Sequence, residues 1–323
     1  MEQITTKRPL IILTGPTAVG KTELSIRLAR LVQGSVISAD SMQVYRHMDI
    51  GSAKIKKSEM HEIPHYLIDI LEPTEEFHVV QFQQYAKKCL QEIYTQGRIP
   101  MIVGGTGFYI QALLYDIDFT KEQEDSAYRD TLMQTAKEQG AHVLHQMLAK
   151  ADPKAAAEIH ENNIKRVIRA LEFYHLSGRK ISEHNEQERQ KESPYQFAYF
   201  VLNEDREHLY RKIDARVDKM IEQGLLEEVK QLKEMGCHKG MVSMQGLGYK
   251  EFLSYLDNEL SFEEAVSILK RDTRHFAKRQ ITWFKREKDV IWLEKEQFGY
   301  DETKLLGNMI AILKEKGIVS HVQ

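Results

Sequence analysis

The chain has 323 residues, 42% of them hydrophobic and 29% charged, with a net charge of −3. That length predicts one elaborated domain or two, and the composition excludes a disordered or fibrous chain. No run nears the roughly eighteen apolar residues of a membrane span, the near-neutral balance leaves polyanion binding to local patches, and Cys89 and Cys237 stand alone, which points to a reduced cytoplasm.

The apolar run Leu10 to Leu13 predicts a strand and leads directly into Gly15-Pro16-Thr17-Ala18-Val19-Gly20-Lys21-Thr22, a phosphate-binding loop in the strand-loop-helix context it requires. Its glycines let backbone amides turn inward on an anion, the following helix adds a positive dipole, and Lys21 adds a full charge. The Thr22 hydroxyl suits a magnesium ion. A ligand carrying a di- or triphosphate is expected here, and the loop alone does not say which.

Further strands are predicted at Val36 to Ala39, Tyr66 to Ile70 and Ile99 to Val103, alternating with helical patterns. The fold class is therefore α/β, a P-loop-type parallel sheet flanked by helices. Ligands in such folds lie at the carboxyl ends of the strands. Thr14-Gly15, Asp40-Ser41-Met42-Gln43 and Gly104-Gly105-Thr106-Gly107 all fall there and should converge. Asp40 has the chemistry to bind magnesium, accept a proton, hydrogen-bond a substrate amine or cap its own turn. The glycine cluster reads as a second anion nest or as a tight turn. Asp69 reads as a satisfied strand-end residue, because the apolar run continues past it in Ile70-Leu71.

Between Phe119 and Gln196 the strand signal vanishes, which predicts an all-helical insertion over 119–196 in a core made of 1–118 and 197–323. Within it Lys165, Arg166, Arg169, Arg179 and Lys180 form a basic group. Strands return at Ala198 to Leu202 and Val290 to Leu293. Arg211 to Gly236 reads as one helix with an apolar stripe, Arg216 at its border and Arg211 opposite. Arg216 is accordingly the candidate for a diphosphate clamp, with an ordinary ion pair as the alternative. Thr273 to Lys288 predicts a basic amphipathic helix: Arg274, Lys278 and Lys285 share a face flanked by Arg279 and Arg286, and Phe276, Gln280, Ile281, Trp283 and Phe284 lie on the other. Two separate basic patches on an acidic protein favour a long polyanion. A kinase, a nucleotide hydrolase acting on nucleic acid, and a transferase whose leaving group is diphosphate all fit the loop. The last accounts for both nests, the single acid and the patches together.

Eight ordered segments carry a resemblance: Gly15 to Thr22, Asp40 to Tyr45, Asp49 to Lys54, Pro64 to Asp69, Val103 to Tyr109, Arg169 to Glu172, Gly248 to Glu251, and Ala277 to Gln280 with Trp283. Over nearly its full length the chain resembles the tRNA dimethylallyltransferases. Ser52 and Phe108 stand where threonine and leucine are commoner, and the lack of a eukaryotic-type C-terminal zinc finger implies the bacterial type. The resemblance implies transfer of a dimethylallyl group from dimethylallyl diphosphate to the exocyclic amine of the adenosine immediately 3′ of the tRNA anticodon. It implies magnesium as cofactor, a cytoplasmic monomer, and the tRNA anticodon stem-loop as partner. Asp40 would take the amine proton, while Lys21, the loop amides, Thr22 with magnesium, and Arg216 would hold the departing diphosphate, with Thr106 donating near the breaking bond. Asp40, Ser41, Met42 and Gln43 would read the flipped base. Arg166, Arg169, Arg274, Lys278 and Arg279 would hold the backbone, and Arg129, Lys165, Thr106 and Gln280 complete the tRNA-facing set. An isopentenyltransferase acting on free adenylate is the neighbouring alternative, which the basic patches disfavour.

Overall fold

The computed structural model describes residues 7–119 and 126–320. Strand β1 (Arg8–Thr14) leads through the phosphate loop into helix α1 (Lys21–Val32) and β2 (Gly34–Ser38), and β3 (His65–Tyr66), α2 (Val79–Thr95), β4 (Ile99–Gly104) and α3 (Gly107–Leu114) follow. Five helices come next: α4 (Ser126–Gln139), α5 (Ala141–Ala151), α6 (Pro153–Glu158), α7 (Ile164–Ser177) and α8 (Ile181–Gln190). The chain then returns through β5 (Tyr195–Asn203), α9 (Arg206–Glu222), α10 (Leu225–Glu234), α11 (Tyr249–Leu256), α12 (Phe262–Phe284), β6 (Val290–Glu294) and α13 (Glu302–Glu315).

The strands form one parallel sheet in the order β3-β2-β4-β1-β5-β6. Leu10, Ile11, Ile12 and Leu13 are completely buried, as an unbroken apolar run must be when helices cover both faces of a parallel sheet. Register brings the carboxyl ends level: Thr14 lies beside Gly104 and Val201, and Ser38 beside Val103. Among the described residues no helix is long and apolar enough to cross a membrane, and no group of three His, Cys, Asp or Glu could hold a metal.

The described residues up to 114 and from 194 onward make one compact unit, and those within 115–193 make a second. The core keeps α3 to its end at Leu114 and resumes early because β5 starts at Tyr195, paired with Arg8, ahead of the edge at 197 expected from sequence. The helical unit has its own centre in Leu132, Leu144, Leu148, Val167 and Leu171.

Two sequence expectations are corrected. The strand expected over Tyr66 to Ile70 is only His65–Tyr66, because Leu67 (φ 62°) and Asp69 (φ 55°) adopt left-handed conformations that no strand accommodates. The single helix expected over Arg211 to Gly236 starts at Arg206, where Asp205 caps it, and is broken at Gly224, whose φ of 97° ends α9 and begins α10.

Candidate active site

The phosphate loop closes against the neighbouring strands. Gly15 sits at φ 145°, and a Cβ there would collide with the Leu202 carbonyl oxygen, so only glycine fits. Gly20, at φ 99°, turns the chain into α1. Lys21 folds back over the loop, donating from Nζ to the carbonyls of Gly15 (2.9 Å) and Pro16 (2.8 Å). Withdrawal from water, reinforced by the nearby Arg216 guanidinium and opposed by Asp40, pushes the Lys21 ammonium down to about 7. Burial lowers Arg216 as well, and Asp40 again opposes it. Arg216 reaches from α9 to Thr17 Oγ1 (3.5 Å), whereas Arg211 is exposed and faces Glu207 at 4.0 Å. Thr22 is exposed at the first turn of α1.

The three strand-end turns do converge. Thr14 Oγ1 donates to Gly104 O (2.7 Å), and the Thr106 amide donates to Ala39 O (3.1 Å). Gln280 ties the two glycine turns together: its Oε1 accepts from the Thr17 amide and its Nε2 donates to Gly105 O, both at 2.9 Å. Sequence grounds place Gln280 with the tRNA contacts, and the structure corrects this: it is only 6% exposed, and both ends of its amide are used within the protein. Trp283, one turn on, lies against Gly107, where any Cβ would strike the indole, and meets Phe108 edge to face at 6.1 Å.

Asp40 caps its own turn and still offers an oxygen. Its Oδ1 accepts from the amides of Met42 (2.8 Å) and Gln43 (3.3 Å), and Oδ2 has no partner among the described residues. The capping and chemical readings are therefore compatible. Ser41 and Met42 are partly buried, and Gln43 is braced between Ser38 Oγ (3.1 Å) and Ser52 O (3.5 Å).

The turn that follows is held by residues whose role the sequence does not reveal. The amides of Asp49, Ile50 and Gly51 donate to the Glu228 carboxylate at 2.8, 2.7 and 3.0 Å. Tyr249 Oη donates to Glu228 (2.8 Å) and accepts from the Ser52 amide (3.2 Å). Lys54, with its side chain almost wholly buried, donates to Tyr45 O, Asp49 and Asp69 at 2.6, 2.6 and 2.5 Å. Asp69 is thus a structural partner of Lys54. The available signal for Glu228 is an acid inside the apolar stripe Leu225, Val229 and Leu232 of α10.

The basic residues divide by engagement. On α12, Arg274 pairs with Asp214 at 2.5 Å, while Lys278 and Arg279 are exposed, Arg279 lying 5.8 Å from the Phe276 ring centre. In the helical unit Lys165, Arg166 and Arg169 are exposed on α7, and Arg129 makes a two-pronged pair with buried Glu172 at 2.7 and 3.3 Å.

The arrangement is thus a cationic loop suited to an anion beside one acid with a spare oxygen. The family model described as IPP transferase matches residues 43–287. A tRNA dimethylallyltransferase of Lachnoclostridium phytofermentans is 60% identical over 97% of this chain and 99% of its own. The crystal structure of a full-length tRNA isopentenylpyrophosphate transferase from Bacillus halodurans superposes with a TM-score of 0.72 at 43% identity, covering 96% of this chain and 98% of that one. A eukaryotic dimethylallyltransferase captured acting on tRNA gives a TM-score of 0.77 at 31% identity over 89% of this chain and 74% of its own. Fold and full-length likeness agree, and the chain belongs to the IPP transferase family of tRNA dimethylallyltransferases.

Proposed function

We propose that this protein transfers the dimethylallyl group of dimethylallyl diphosphate to the exocyclic amine of the adenosine immediately 3′ of the tRNA anticodon, as a monomer in the cytoplasm. The observation that carries the proposal is Asp40: anchored through Oδ1, free at Oδ2, and near enough to Lys21 and Arg216 for their charges to be felt. The amine nitrogen attacks the allylic carbon as the bond from that carbon to the diphosphate oxygen breaks. Asp40 orients the weakly nucleophilic amine and takes its proton as the new bond forms. Negative charge grows on the leaving diphosphate, and the loop, Lys21, Arg216 and Thr106 would stabilise it.

Magnesium fits this donor set in one way. The exposed Thr22 hydroxyl offers a single oxygen and no acidic cluster surrounds it among the described residues, so the remaining ligands would be diphosphate oxygens and water. Bound there, the ion would neutralise part of the leaving group's charge. The adenosine must leave its stack at a cost of a few kcal/mol, and backbone contacts on α7 and α12 offset it.

Unmodified tRNA incubated with dimethylallyl diphosphate and magnesium should yield a prenylated nucleoside detectable by mass spectrometry; phosphate release from ATP without that product would overturn the reading. Asp40→Ala should lower transfer by roughly 10²- to 10⁴-fold while leaving tRNA binding nearly intact. Lys278→Ala should weaken tRNA binding and reduce the salt slope by about one. Arg274→Ala, removing a cation already paired with Asp214, should do less.

A further inference from the structure

Among the described residues, one buried cation beyond the loop stands without a charge partner. Lys295 follows β6 and is only 7% exposed, yet its ammonium has a single acceptor among those residues, the Val19 carbonyl at 3.3 Å. No carboxylate of the described residues lies within ion-pair distance of it. Burying an ammonium with so little compensation is costly unless an anion stands nearby. Its surroundings already concentrate positive charge: Nζ is 3.3 Å from where a Gly20 Cβ would be, at the N-terminus of α1, with Lys21 on the same loop.

The contact also fixes a direction. The Val19 carbonyl and the Gly20 N–H belong to one trans peptide unit and point opposite ways. A lysine pulling that carbonyl outward therefore turns the Gly20 amide toward the loop's interior.

We infer that Lys295 is a positioning residue for the diphosphate, a buried cation behind the phosphate loop that aims the Gly20 amide at the anion and adds its own charge. The inference rests on the reading that a diphosphate occupies this loop. Lys21 and Arg216 reach the loop from helices, whereas Lys295 is delivered by the sheet's edge strand β6 and already touches the loop backbone.

The test is calorimetric titration of the full-length protein with inorganic pyrophosphate, alongside tRNA binding and thermal melting. Lys295→Met, similar in length and uncharged, should weaken pyrophosphate binding about tenfold and flatten its salt dependence while tRNA affinity stays within about twofold. Lys295→Arg should recover most of the loss. A merely structural lysine would lower the melting temperature and affect both ligands alike, and that result, or pyrophosphate binding to Lys295→Met at wild-type strength, would overturn the inference. If Lys295→Met does not fold, Lys295→Gln keeps a donor without the charge: weakened binding supports the inference and wild-type affinity refutes it. Failure of the wild-type protein to bind pyrophosphate at all would instead remove the transferase reading beneath it.

Discussion

The phosphate loop at 15–22 and the turn at 49–51 both present runs of backbone amides, and they are held by groups of opposite sign. In the first, Lys21 and Lys295 bind carbonyls and the neutral Gln280 side chain takes the Thr17 amide, and among the described residues no carboxylate accepts from the loop. In the second, the Glu228 carboxylate already occupies the amides of Asp49, Ile50 and Gly51. One nest is open and cationic, and the other is closed by its own protein's anion. The difference separates a site that receives charge from a brace that has used it, although glycine and turn chemistry look much the same in both.

Replacing the partners should break the two nests in different ways. Lys21→Met removes a donor from the open nest and should reduce transfer by roughly a hundred- to a thousand-fold, read in single-turnover assays, with the fold intact by circular dichroism. Glu228→Ala strands three amides and the Tyr249 hydroxyl inside the protein, and chemical denaturation should show a stability loss on the order of 3 kcal/mol. Its transfer activity should fall only as far as the turn bearing Asp40 to Lys54 loosens. If Glu228→Ala were as stable as wild type, the closed nest would be no brace at all.

Much of the open nest is legible in the sequence because it is local. Eight consecutive residues carry the loop, and β1 and β4 hold unbroken apolar runs, with the shorter Val36-Ile37 pair in β2, whose carboxyl ends locate the site. The closed nest is not legible, since its carboxylate and its amides are separated by well over a hundred residues. An acid in an apolar stripe is visible in a sequence, but the group it serves is not. The same holds for β3: the left-handed turns at Leu67 and Asp69 come with a tertiary contact, Lys54 on Asp69, that no apolar pattern encodes. Gln280 misleads for a related reason. A polar side chain among basic neighbours suggests a solvated partner, yet its position on the apolar face of α12 turns it inward to join two glycine turns.

The smallest effect tests the open nest through pH. The Lys21 ammonium is pushed down to about 7 in the free protein, and only its charged form suits an anion. Pyrophosphate affinity should therefore fall as pH rises past about 7, by about tenfold between pH 7 and 8.5, against the ligand's own gain of negative charge over that range. Stability of the ligand-free protein should move the other way. A lysine whose folded value lies below its ordinary 10.5 costs stability while it is charged, and that cost is relieved as pH climbs from about 7 toward 10.5. Glu287, raised by burial to about 7, runs opposite on stability and below that window: the protein loses its contribution as pH rises from 4.5 to about 7. Above pH 7 the two trends of opposite sign, weaker anion binding and a rising melting temperature, belong to Lys21, and Lys21→Met should flatten both. Persistence of the affinity trend in that variant would move the titrating group out of the phosphate loop.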